Sequence, residues 1–404
     1  MKIATPASQW MLVATTIVFV IAARSQDPQQ TPRDSLPAAK NYLTKNDYDE
    51  LTRRAGRLKP EDVPALKKRA DEGDLNSQLL MGRLYHFGCG LVQRDPKSAL
   101  EWYRKAADQD SSIAEVEIGT YYRAPGNDKA EALRWYRRAA ERRDSIAERN
   151  LGRLLAETAA ASKSFDAATW LRRAAEHGDD LAVEDLMKLY NDGTANPEKK
   201  RDENRRQGVL LLQSWANQGN APAQTELALA YSMGSLGLKK DAVQAFQWMT
   251  KAAEKSPEAE AFLGQFYSTG IGTEANREEA VRWYRKSAEH GHWRGQLNLA
   301  YGYEHGHGVA KDPVEALKWF RAAADQEFPQ AEYQLAEMYD RGHGVPKDKS
   351  TAMMWYILAS QAATENSMSV LPPNGFSFYR HHNEKEFKEA ERRAKELKDR
   401  HDCR

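Results

Sequence analysis

A unit of 33 to 41 residues recurs eight times between Ser77 and Ser360, and this recurrence constrains the fold more tightly than composition does. Each unit opens on a small residue: Ser77, Ala114, Ala147, Ala182, Ala223, Ala259, Gly295 and Ala331, at intervals of 37, 33, 35, 41, 36, 36 and 36 residues. Four positions later stands an apolar residue (Met81, Ile118, Leu151, Leu186, Leu227, Leu263, Leu299, Leu335). The residue after that is Gly or Ala in every unit except the fourth, which has Met187. Eight positions after the opener comes a Tyr, replaced by Leu155 in the third unit. Offsets of 0, 4 and 8 lie on one helical face. The Gly or Ala beside that face predicts the close approach of a second helix.

The second half of each unit has its own column: Trp102, Trp135, Trp170, Leu211, Trp248, Trp283, Trp319 and Trp355. Ala or Gly stands three residues before it, and small pairs such as Ala106–Ala107 and Ala323–Ala324 follow. That small-residue company predicts a Trp packed into a helix interface. Each unit therefore reads as a helical hairpin. One hairpin cannot bury its apolar face alone, but stacked neighbours can. Between the helices lies a glycine turn: Gly88-Cys89-Gly90, Gly270-Ile271-Gly272, Gly306-His307-Gly308, Gly342-His343-Gly344 and a looser Gly234–Gly237. Glycine accepts positive φ there. Asp95, Asp312 and Asp348 then stand where an N-cap belongs, with Pro96 and Pro313 in the first turn.

The combined pattern, A-x-x-x-L-G/A-x-x-Y followed by G-x-G-V and A-x-x-W-Y-x-x-A-A, resembles the Sel-1-like repeat, a branch of the tetratricopeptide-like helical repeats. The likeness covers roughly residues 75–363. It implies an all-α fold, a right-handed α-solenoid of about eight stacked hairpins with short capping helices, and a scaffold or adaptor role. Units two and three depart from the pattern in their turns. Unit four replaces the Trp by Leu211 and carries the polar insertion Asn191–Arg206, with Lys199, Lys200, Arg201, Arg205 and Arg206. The insertion reads as a solvated loop, as an early start of the next helix, or as a basic docking site.

A chain of 404 residues exceeds a usual single core, a limit that a solenoid escapes. The net charge of +1, with both signs interspersed, gives no nucleic-acid footprint. Residues 1–25 read as a signal peptide: Trp10 to Ala23 is a mostly apolar run, and Ala23-Arg24-Ser25 is a small-x-small cleavage site. The run falls short of the ~20 residues that span a bilayer; an uncleaved N-terminal anchor is the alternative. Residues 26–46 read as a disordered leader and 47–74 as capping helices, Asp47–Leu58 and Pro60–Gly73. Residues 364–404 read as an irregular linker, whose Phe376, Phe378 and Tyr379 cover the array end, and a charged helix from Glu384 to about His401. The expected location is periplasmic or extracellular.

No residue set is assigned to catalysis, to a cofactor or to a metal. Cys89 and Cys403 are too few for a disulfide framework. His290, His292, His305, His307 and His343 read as surface residues, since His290 and His307 hold positions that other units fill with Arg, Gln, Ile or Cys. There is no S-x-x-K, K-T-G or G-x-S-x-G. Some cysteine-rich secreted members of the resembled family are linked to β-lactam binding or hydrolysis. A cell-envelope enzyme or antibiotic-binding protein is thus the alternative, although the paired cysteines of those proteins are absent here. The favoured reading is an exported scaffold for a protein or peptide partner, without nucleic acid and without membrane contact beyond the N-terminal run. In related arrays the first helices line the concave side. Offsets of two and six from the opener then nominate Arg83, Arg149, Arg153, Lys188, Gln265, Tyr301, Tyr333 and Glu337 as partner-binding, with basic early units and an acidic last one.

Overall fold

The computed structural model describes residues 45–88, 90–124, 128–158, 164–196, 199–365 and 384–401, all within one unit, Leu43–Arg404. The proposed signal peptide, most of the leader, both cysteines and the aromatics Phe376, Phe378 and Tyr379 lie outside the described residues. Among the described residues there are nineteen α-helices and no strand. Two lead in, α1 (Lys45–Arg57) and α2 (Val63–Asp71), the latter entered through a 3-10 turn at Pro60–Asp62. Eight hairpins follow: α3 (Leu75–Phe87) with α4 (Pro96–Ala107), α5 (Ser112–Arg123) with α6 (Lys129–Glu141), α7 (Ser145–Thr158) with α8 (Ser164–Glu176), α9 (Asp180–Asp192) with α10 (Arg201–Asn217), α11 (Ala221–Met233) with α12 (Ala242–Ala252), α13 (Pro257–Thr269) with α14 (Arg277–Glu289), α15 (Trp293–His305) with α16 (Pro313–Ala324), and α17 (Pro329–Arg341) with α18 (Lys349–Glu365). α19 (Glu384–His401) closes the series. From α2 onward consecutive helices pack on one another, and α1 packs on α3, so the chain is an all-α solenoid.

The helix starts are written in the sequence. The N–H of the opener donates to the side chain three residues earlier, as Ser77 does to Asp74 (2.8 Å), Ala147 to Asp144 (3.0 Å) and Ala223 to Asn220 (2.8 Å). That is a side-chain N-cap bonded to the third helical residue. The second helices are capped by Asp95, Asp312 and Asp348, whose carboxylates accept from backbone N–H groups of the first turn.

The two glycines of each turn have different duties. Gly270, Gly306 and Gly342 are left-handed caps at φ of 76°, 72° and 72°. Gly272, Gly308 and Gly344 also have positive φ, and each presses on the first residue of the preceding unit's second helix. A Cβ there would lie 2.0 Å from the Ala242 oxygen, 2.1 Å from that of Arg277 and 2.3 Å from that of Pro313. These are backbone-on-backbone seats between units. Gly90, in the first unit, has nothing within 4 Å of such a Cβ.

The Trp column does not plug the hairpin. Trp135, Trp170, Trp248, Trp283 and Trp319 are half-buried; only the end units bury theirs, Trp102 and Trp355. The following residue fills the interface instead. Tyr103, Tyr136, Leu171 and Tyr284 lie directly over Gly82, Gly119, Gly152 and Gly264, where a Cβ would come within 2.5–2.7 Å of them. Cations lie over the Trp rings: Lys105 over Trp102, Arg173 over Trp170 and Lys251 over Trp248, at 3.8, 4.5 and 4.2 Å.

The fourth unit's insertion is in part an early helix start, since α10 begins at Arg201 and runs for 17 residues. Buried Asn204 organises the rest, bonding the Asn196 N–H and its carbonyl at 2.8 Å each. Arg201 and Arg205 both donate to the Asn191 carbonyl at 3.0 Å, and Lys199 pairs with Glu203. Three of the five cations of the suggested basic site are therefore engaged within the chain.

At the far end α19 packs on α18. Phe387, Ala390 and Ala394 are buried in one cluster with Trp355, and Arg393 bonds the Ser350 and Thr351 hydroxyls. The outer face carries pairs such as Lys388–Glu384.

Candidate partner-binding face

A helix inside a stack touches its own hairpin partner and the units before and after it. Its buried arc is therefore wider than a single amphipathic stripe. Offset two from the opener falls inside that arc in five units, where Leu79, Val116, Thr225, Ala261 and Leu297 are buried, whereas Glu184 is exposed and Arg149 and Tyr333 are half-buried. The open stripe runs instead along offsets −1, +3, +6 and +10. In the middle units it comprises Leu181, Asp185 and Lys188 on α9, then Glu226, Leu229 and Met233 on α11, then Glu258, Phe262 and Gln265 on α13.

The eight nominated residues divide accordingly. Gln265 and Lys188 are exposed on the stripe, with Lys188 paired to Glu184 at 2.8 Å. Tyr301 is half-buried, stacked on His305 and edge-on to Phe320. Arg83 is half-buried over the Phe87 ring. Arg149 and Arg153 are engaged within the chain: Nε of Arg149 donates to Asp179 at 2.8 Å, and Arg153 makes a two-pronged contact with Asp185 at 2.5 and 3.1 Å. Glu337 accepts from Tyr356 at 2.6 Å and from Tyr333 at 3.3 Å, and pairs with Arg341. The structure thus does not gather the eight into one site. Of the basic pole expected in the early units, Arg149 and Arg153 are neutralised by the next unit's aspartates and Lys188 by Glu184, and the acidic pole at Glu337 is tied to two tyrosines and an arginine.

A second polar set escapes sequence reading altogether. The residue after each opener is Gln78, Glu115, Glu148, Val183, Gln224, Glu260, Gln296 or Glu332, and all eight are buried. Partners come from the second helix of the same unit. Arg173 and His177 reach Glu148 at 3.1 and 2.8 Å; Lys286 and His290 reach Glu260 at 2.9 and 2.8 Å. In two units that carry an amide there the partner is an amide, Gln109 on Gln78 and Gln326 on Gln296, each at 2.8 Å, whereas Gln224 donates to the Ala216 carbonyl at 2.9 Å. The signal was a covariation between positions about thirty residues apart within the repeat. Glu115 is the least well served. Arg138 and Arg142 approach its Oε1 at 2.7 and 3.5 Å, without alignment for a hydrogen bond. Burial dominates over the two guanidinium groups and pushes its pKa up to about 7.

These pairs occupy His177 and His290 with carboxylates inside the hairpins. Burial, followed by the Arg294 charge, pushes His292 down to about 4. Among the described residues no group of three or more His, Cys, Asp or Glu is placed to hold a metal ion. No described helix is long and apolar enough to cross a membrane.

With this geometry in hand, comparison with known proteins gives a consistent picture. The model of the Sel1 repeat family matches residues 75–111, 114–144, 166–179, 182–220, 221–256, 257–292, 293–328 and 329–363, well over half of the chain. The third match covers only part of the second half of its unit, where the first helix lacks the usual Tyr and the glycine turn. An Arabidopsis thaliana protein, the ERAD-associated E3 ubiquitin-protein ligase component HRD3A, is 28% identical over 54% of this chain, which spans only 28% of that protein's length. Among solved structures, a protective antigen of uropathogenic Escherichia coli with an SLR fold is 30% identical, covering 85% of this chain and 70% of the other, with a TM-score of 0.40. A Sel1 repeat protein from Oxalobacter formigenes is 26% identical, covering 82% and 98%, with a TM-score of 0.45.

Proposed function

Because the chain belongs to the Sel1 repeat family, whose arrays typically serve as protein-interaction scaffolds, we propose that it is an exported, non-catalytic platform that holds a protein or peptide segment along the open stripe of its first helices. One observation carries this reading. The structural polar groups of the repeats point inward or into neighbouring units, whereas the stripe presents unlike side chains from unit to unit. Lys188, Leu229, Gln265 and Tyr301 occupy one equivalent position in four successive units. A lattice of constant spacing with variable side chains suits recognition of an extended partner.

Affinity purification from the native cells, with mass spectrometry of what is retained, tests it. The expected result is a specific partner held by the wild-type protein and weakened about tenfold or more by Leu229→Asp with Gln265→Arg. Retention by that variant would move docking to another surface. No retained protein, together with turnover of a small substrate, would overturn the scaffold reading. Arg149 and Arg153 are unsuitable probes because they bridge units.

Export rests on the apolar run Trp10–Ala23. N-terminal sequencing of the purified protein is expected to give Gln26 first; a retained Met1 in a membrane fraction would establish the anchored form instead.

A further inference from the structure

The stripe is not uniform, and its middle has a distinct chemistry. Exposed large apolar side chains are few among the described residues. Two of them, Leu181 at 50% exposure and Met233 at 60%, lie on the first helices of adjacent units, α9 and α11, which touch. On α11, Glu226, Leu229 and Met233 follow one another along a single face, at helical spacing. On α9, Leu181 and Glu184 are separated by one turn. Glu184 and Glu258 both act on Glu226 through space, and Arg294, Glu184 and Asp180 act on Glu258. The cations at hand are Lys188, paired to Glu184, and Arg294, whose guanidinium lies over Phe262 and Trp293 at 4.5 and 4.7 Å. Glu184, Glu226 and Glu258 thus meet Lys188 and Arg294 beside open apolar surface.

Resting on the docking-platform reading, we propose that this patch, centred on Glu226 between Leu181 and Met233, takes a cationic peptide segment with an apolar residue next to its Lys or Arg. The apolar residue seats on Leu181, Leu229 and Met233, and the cation is drawn to Glu226 and Glu258. Charge complementarity selects this occupant: an acidic or purely apolar segment would leave the half-buried Glu226 facing Glu184 and Glu258 with Lys188 as its facing cation. The groups facing Glu226 are Glu184 and Lys188 of α9 and Glu258 of α13. Burial, followed by those two carboxylates, pushes Glu226 up to about 7. A bound cation favours its charged form, so affinity rises with pH through neutrality.

The test pans a displayed library of random linear peptides on the mature protein and measures the affinity of the enriched peptides by fluorescence anisotropy. The expected result is enrichment of Lys or Arg beside an apolar residue. Affinity should fall about tenfold or more in Glu226→Lys with Glu258→Lys, and should weaken in high salt. Glu226→Gln, which keeps the shape, is expected to abolish the rise in affinity between about pH 6 and 8. Enriched peptides without cationic bias, or with unchanged affinity for the lysine variant, overturn this inference and leave the platform reading standing. No enrichment at all, from protein with an unaltered helical signal, overturns both.

Discussion

Replacing Gly308 by Ala is expected to destabilise the junction of the sixth and seventh units by about 3 kcal/mol, whereas the same change at Gly90 costs about 1 kcal/mol. Both glycines have positive φ, 74° and 63°, so both substitutions pay the left-handed penalty of an L-residue. Only Gly308 adds a collision, because its Cβ would lie 2.1 Å from the Arg277 carbonyl oxygen and 2.4 Å from its carbon. Those atoms are backbone at the first turn of α14 and cannot swing aside as a side chain could. Relief requires the two units to separate, and units held by nearest-neighbour contacts lose cooperation where they separate. Thermal unfolding with hydrogen exchange checks it: exchange should accelerate on both sides of Gly308, in α14–α16. Equal effects of the two substitutions would show that the seat contributes no more than conformational strain.

The double substitution Arg138→Ala with Arg142→Ala is expected to destabilise the second unit by about 2 kcal/mol at pH 8 and by much less at pH 5. Removing the partner of a buried charge costs about 3–5 kcal/mol. The figure is discounted because the two arginine side chains are 44% and 29% exposed, while Glu115 is fully buried. The pH dependence follows from the sign of the shift. The folded-state pKa of Glu115 is already raised, to about 7, above the usual carboxylate value. Stability from this group is therefore fully present below the unfolded-state pKa and is lost as pH rises through about 7. The guanidinium groups oppose that loss, so removing them deepens it on the alkaline side and leaves on the acid side only the loss of their bonds to Asp110 and Ala107. Melting curves across this range check the slope; a pH-independent loss would mean that the arginines act through packing alone.

The hairpins, their caps and the left-handed turn glycines were legible because each depends on residues close in sequence. Asp74 caps a helix that begins one residue later, and Gly306 ends one. The buried plug was misplaced by one position. Trp102 and Tyr103 are both aromatic neighbours of small residues, and local pattern does not say which one faces Gly82. The stripe was misread at offset two for a related reason: Thr225 and Leu297 are covered by neighbouring units, so their burial depends on stacking and not on the helix's own pattern. Arg149 and Arg153 looked free because their aspartate partners stand thirty or more residues away. The buried carboxylate row was hidden for the same reason. Once the units are known to stack in register, the match of Gln109 to Gln78 and of His177 to Glu148 becomes readable.

α19 lays its apolar side chains against Trp355 and turns charges of both signs outward. The first helices then form eight rungs. Helix axes pack about 8–10 Å apart, so the path from the first rung to the eighth is roughly 60 Å. An extended chain advances about 3.3 Å per residue, and roughly 20 residues would match that path. On the proposed platform, a segment much shorter than this would engage only part of the rungs, and a longer one would leave at an end.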